Sequence, residues 1–105
     1  MEEKRYQLVF DEVMKKKLEK AITKSSNRDI IKQWLDKLEQ QGPNAGKLLD
    51  NHTWLYEMKN KHPPLRLYYH FGRETGKIIL FELETKTSEK KQQNTINKIQ
   101  QYLNP

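Results

Sequence analysis

The chain has no cysteine among its 105 residues, which removes disulfides, thiolate metal ligands and a cysteine nucleophile together. It has no apolar run approaching the roughly 20 residues that a membrane-spanning helix needs. Met1-Glu2-Glu3-Lys4-Arg5 leads straight into a strand pattern without the apolar stretch of an export signal, so a cytoplasmic location with no membrane contact is expected. The four glycines form neither a Gly-rich phosphate loop nor a nucleophile elbow. His52, His62 and His70 lack the paired spacing of a zinc site, and neither a metal nor a small-molecule cofactor is expected.

Charge is abundant. Charged residues make up 32% of the chain and the mean hydropathy is -1.06, polar even for a soluble domain. Ordered elements are nonetheless readable throughout, and the length predicts one domain over residues 1–105, with a core large enough to fold but not to enclose a deep cavity. The net charge is +6. Residues 1–50 contribute eleven cations against nine carboxylates, residues 51–105 nine against five, so the excess leans toward the second half. Such a balance permits an anionic partner without requiring one.

Tyr6, Leu8 and Phe10 alternate with Gln7 and Val9 in a first strand. Asp11 caps a predicted helix with Met14, Leu18, Ala21 and Ile22 at helical spacing, and Lys15-Lys16-Lys17 fall partly on its wet face. Ser25-Ser26-Asn27 interrupts. Ser26 followed by Asp29 has the spacing of a capping box, opening a second helix with Ile30, Ile31, Trp34, Leu35 and Leu38 on one face, and Gly42-Pro43 ends it. A helical hairpin with one apolar side needs a sheet to cover it.

That sheet is predicted from Trp54-Leu55-Tyr56-Glu57-Met58-Lys59, Pro64-Leu65-Arg66-Leu67-Tyr68-Tyr69 and Ile78-Ile79-Leu80-Phe81. Period-two alternation sends Leu65, Leu67, Tyr69 and Phe71 to one face with Trp54, Tyr56 and Met58, and Arg66, Tyr68 and His70 to the other; Ile79, Phe81 and Leu83 are assigned to the core face. The short Lys59 to Pro64 connection predicts an antiparallel pair with Lys59 opposite Pro64, Glu57 opposite Arg66 and Leu55 opposite Tyr68. Glu82 and Glu84 are expected to face solvent or pair with lysine, and Trp34 and Trp54 to be largely buried. A last helix begins near Ser88, carries Ile96, Ile99, Tyr102 and Leu103, and places Lys90 and Lys91 in its first turn, where a bound phosphate would offset their unfavourable position on the helix dipole. The fold class is α+β, a helical hairpin packed on one face of a small antiparallel sheet with a C-terminal helix.

Tyr56-Glu57-Met58-Lys59, the Arg66-bearing strand Leu65 to Tyr69, the aliphatic Ile78 to Phe81 and the turn Thr85-Lys86-Thr87 occur in the order found in the RelE/ParE toxin superfamily, and over residues 48–103 the chain resembles its RelE/HigB-like branch. Lys59 stands where that motif usually has Arg, Thr85 replaces a lysine, and the early tyrosine that some members carry in the last helix is absent. The resemblance implies a toxin of a type II toxin-antitoxin pair, a metal-independent endoribonuclease that cuts mRNA in the ribosome and is held by a cognate antitoxin. In that reading Arg66, Lys59, Lys61, Lys86 and Tyr102 form the catalytic set, with Arg66 gripping the phosphate, and Tyr68, Lys90 and Lys91 bind RNA. Two alternatives stay open: a ParE-like gyrase inhibitor without nuclease activity, and an inactive basic RNA- or ribosome-binding module.

Overall fold

The computed structural model describes residues 6–85 and 88–103. In chain order the elements are β1 (Gln7–Val9), α1 (Glu12–Ala21), α2 (Ser25–Gln41), a 3-10 turn (Gly42–Ala45), β2 (Lys47–Asp50), β3 (Leu55–Asn60), β4 (Leu65–Gly72), β5 (Lys77–Glu84) and α3 (Glu89–Leu103). The five strands form one sheet in the order β1-β5-β4-β3-β2. The α+β class is as predicted, but the sheet is mixed, because β1 runs parallel to β5 while the other pairs are antiparallel. Helix α1 continues past β1 along β5, with Lys17 beside Glu82, and α2 brings the chain back to the start of β1, where the Tyr6 N–H donates to the Glu39 carbonyl at 3.0 Å.

Asp11 caps α1 as expected, its Oδ1 accepting from the Met14 N–H at 2.8 Å, and Met14, Leu18 and Ala21 are buried. Helix α2 buries Ile31 and Leu38, but the Ser26–Asp29 capping box does not form. Only three residues separate the two helices, and the Asn27 and Arg28 N–H groups reach the Lys24 carbonyl, which draws Ser26 inside the helix. Gly42 ends α2 at φ 80°, where a Cβ would meet the Tyr6 ring at 2.5 Å. Trp34 and Trp54 lie at the core margin and are half-buried rather than largely buried; Trp54 carries the Arg73 guanidinium 4.5 Å above its ring.

The faces of β3 and β4 follow the predicted alternation. Tyr56, Met58, Leu65, Leu67 and Tyr69 join the residues of α1 and α2 in the main core. The register differs by two residues: Lys59 lies opposite Arg66, Glu57 opposite Tyr68 and Leu55 opposite His70. A shift of two keeps every side chain on its face, and Glu57 and Arg66 still meet, now as diagonal neighbours.

In β5 the faces change phase. Tyr68 pairs with Glu82 and Tyr69 with Leu80, leaving Phe81 as an extra residue, a β-bulge. Ile78 and Leu80 therefore join the main core before the bulge and Leu83 after it, while Phe81 turns to the opposite face. This corrects the assignment of Ile79 and Phe81 to the hairpin side.

The second face is not left open. Helix α3 lies on it, forming a smaller core of Leu55, Tyr68 and Ile99 with Leu49, Phe81, Ile96 and Leu103 packed around it. Asp50 accepts hydrogen bonds from the His52 N–H, Thr53 Oγ1 and Gln100 Nε2 at 2.9 Å each, tying the turn after β2 to α3; these donors, led by His52, hold the Asp50 carboxyl below its ordinary value. No helix among the described residues is long and apolar enough to cross a membrane.

Candidate functional site

Helix α3 covers only part of its face. At the β2–β3 side of the sheet Lys59 stays exposed, directly opposite Arg66 in the ladder. Both residues point to the α3 side by alternation, with Cβ atoms about 5 Å apart. Lys47, exposed on β2, lies opposite Glu57 and adds a third cation to the corner. Sequence reasoning missed Lys47 because it missed β2; the pair Leu48-Leu49 between polar residues after Gly46 was its available signal.

The centre of the corner is an ion pair. Arg66 Nη1 donates to Glu57 Oε2 at 2.7 Å, with the side chains 18% and 5% exposed. Arg66 is therefore not a simple solvent-facing cation: it neutralises a buried carboxylate. Three cations against Glu57 and the neighbouring Glu84 leave the corner net positive by one charge and suited to a phosphate, with the guanidinium fork already oriented by Glu57. Lys61 is exposed in the adjoining β3–β4 turn.

The remaining predicted residues do not assemble there. Tyr68 is 0% exposed, lying beneath α3, so the conformation seen does not let it stack on a base. Alternation gives its face but not what covers that face. Tyr102 is 74% exposed and packs edge-on against Phe81 at 5.6 Å between ring centroids. Phe81 is two strands from Lys59, about 10 Å across the sheet, so Tyr102 and Lys59 act on different regions. Lys90 and Lys91 are exposed in the first turn of α3, whose Ser88 Oγ accepts from the Lys91 N–H at 3.2 Å. Lys86 lies outside the described residues.

Next to the corner, Glu84 lies opposite Arg66 on β5. It is 4% exposed, and its Oε2 accepts from Thr95 Oγ1 of α3 at 2.9 Å. Neither Glu84 Oε1 nor the Tyr68 hydroxyl has a hydrogen-bond partner among the described residues. Burial first, and then the nearby Glu84 charge, raises the Tyr68 pKa above its ordinary value of 10.0. The folded state thus keeps a proton that the unfolded chain releases near pH 10. The stability this confers is complete below pH 10 and is lost as pH rises through the folded value. Burial also raises Tyr69, and its loss falls in the same direction. Tyr68→Phe is expected to flatten the fall in melting temperature between pH 9 and 11, and at pH 8 to leave it unchanged or higher, because the hydroxyl it removes is unpaired. Melts of both proteins across that range are the check, and a drop of several degrees at pH 8 would show that the hydroxyl is bonded.

No family model matches the chain and no curated protein does. The fold has solved counterparts. A double arginine-to-alanine mutant of the E. coli toxin RelE in the free state is 23% identical with a TM-score of 0.67, over 90% of this chain and 98% of that one. The isolated E. coli RelE toxin gives 21% and 0.63 over the same shares. The double mutant in complex with a peptide of the antitoxin RelB gives 20% and 0.55, over 87% and 94%. The chain has a RelE-like toxin fold, and at these identities the likeness is one of fold.

Proposed function

We propose that the chain is a single-domain toxin of a type II toxin-antitoxin pair that cleaves mRNA in the ribosome without a metal. The observation that carries this reading is the cross-strand pair Lys59 and Arg66 on the uncovered corner of a RelE-like sheet. Attack of the RNA 2'-hydroxyl on the adjacent phosphate builds negative charge on the phosphate oxygens, and preoriented cations lower that barrier. Arg66 offers the fork, Lys59 and Lys61 offer point charges, and Lys47 joins them from β2. Tyr68 takes no part while α3 covers it, and Tyr102 is kept as an RNA contact outside the corner. The antitoxin bound by E. coli RelE supports an antitoxin partner for this chain.

The test is induced expression followed by mapping of mRNA 5' ends. New ends within translated frames, reduced at least about a hundredfold by Lys59→Ala with Lys61→Ala, are the expected result. Growth arrest without new ends, with supercoiling lost instead, would place the chain with gyrase-inhibiting toxins.

A further inference from the structure

The cation corner does not end at the sheet. Beside it lies a groove of about 230 Å³ between α2, the turn that follows it and the adjoining ends of β2 and β3. Lys47 and Lys59 belong to the corner and also line the groove, whose α2 side carries Trp34 and Lys37. Trp34 precedes Lys37 by three positions, so the two side chains are neighbours on the helix surface. Trp34 is half-buried and all three lysines are exposed. Glu57 is the carboxylate among the described residues of the groove, and Arg66 already neutralises it.

Packing fixes the walls. Tyr69 Oη donates to the Pro43 carbonyl at 2.6 Å, which holds the turn against the sheet. A Cβ on Gly46 would strike the Glu57 carbonyl, so glycine lets the turn close directly on β3. Met58, which lines the groove, belongs to the main core on which Trp34 packs. An aromatic ring held in this way offers a flat surface with little side-chain freedom left to lose on binding.

We infer that the groove seats an unpaired base of single-stranded RNA, stacked on the Trp34 indole, with Lys37 and Lys47 on the flanking phosphates. The inference rests on the reading of the corner as the site of phosphate attack. Adjacent strands lie about 4.8 Å apart, so a strand of RNA with one phosphate at Arg66 and Lys59 crosses only about 10 Å of sheet before it passes Lys47 and turns over the edge onto Trp34. Every base has a π face, so stacking of this kind holds single strands with little regard for sequence. Bases of a duplex are already stacked and paired and do not reach a lateral groove. An acidic peptide would satisfy the lysines but leave the indole without a flat partner.

The probe is octauridylate carrying 2'-O-methyl groups, which block attack by the 2'-oxygen and so separate binding from cleavage. It is compared with inorganic polyphosphate, which has the charge without the bases, and with octaglutamate. In NMR spectra of the parent chain at millimolar strand, nuclear Overhauser contacts should join the uracil protons to the Trp34 ring. Trp34→Leu keeps an apolar side chain on the core but removes the π face, and should weaken octanucleotide binding about tenfold while leaving polyphosphate binding unchanged. Absence of uracil contacts at Trp34, equal losses for both polyanions in the leucine variant, or octaglutamate bound as tightly as the octanucleotide would each overturn the inference. Should the leucine variant fail to fold, the parent spectra decide alone. Cleavage is read separately by the 5' end maps: a chain that cuts mRNA without these contacts refutes the groove and not the function, and one that shows the contacts without cutting does the reverse.

Discussion

Arg66→Ala should destabilise the fold by about 3–5 kcal/mol, because it leaves a buried carboxylate without its counter-ion. Glu57 is only 4% exposed, and Arg66 holds it at 2.7 Å. Loss of toxicity in that variant would therefore confuse unfolding with chemistry. Arg66→Lys separates them: it keeps a positive charge beside Glu57 but loses the planar fork. A lysine variant that folds with a modest drop in melting temperature yet has lost cleavage assigns the fork to the phosphate. One that folds and still cleaves confines Arg66 to holding Glu57. Urea titrations of both variants beside the 5' end maps make the comparison, and an alanine variant as stable as its parent would show that Glu57 finds another partner.

Ile99→Ala should loosen α3 selectively. Ile99 is 6% exposed and is the buried residue among those described in the helix, against a main core built from two helices and the other face of the sheet. Removing a buried isoleucine side chain costs about 2–5 kcal/mol, comparable to what holds so small a contact. Amides of residues 89–103 should already exchange before those of β4 in the parent, and in the variant they should approach unfolded rates while β4 keeps its protection. Equal protection of α3 and β4 in the parent would rule out a detachable helix. If α3 detaches, Leu55 and Tyr68 become an exposed apolar surface.

Much of this architecture is legible in the sequence where it depends on periodicity. The buried stripes of α1 and α2, the two faces of β3 and β4, and the stop at Gly42 all follow from spacing and backbone preference. The rest depends on partners that spacing does not reveal. Strand β2 is a four-residue edge with little pattern of its own, and with it went Lys47. The two-residue offset between β3 and β4 leaves every face unchanged, so alternation cannot detect it. Tyr68 shares its parity with Arg66, yet α3 buries one and leaves the other half open. At the site, the contact of Glu57 with Arg66 was readable, whereas the direct pairing of Lys59 with Arg66 was not, because the expected register set Lys59 opposite Pro64.

The extra residue at Phe81 makes β5 a strand whose length carries information separate from its side chains. Before it the strand feeds one core, after it the same parity feeds the other, so Leu80 and Leu83 serve one layer although three positions separate them. Exchanges of one apolar residue for another are absorbed locally, and loss of Phe81 itself would leave a regular ladder, but a residue inserted after the bulge moves everything from there to Glu84 to the opposite layer. The segment from the bulge to Glu84 is therefore open to substitution but closed to insertion, a constraint on length that no single side chain carries.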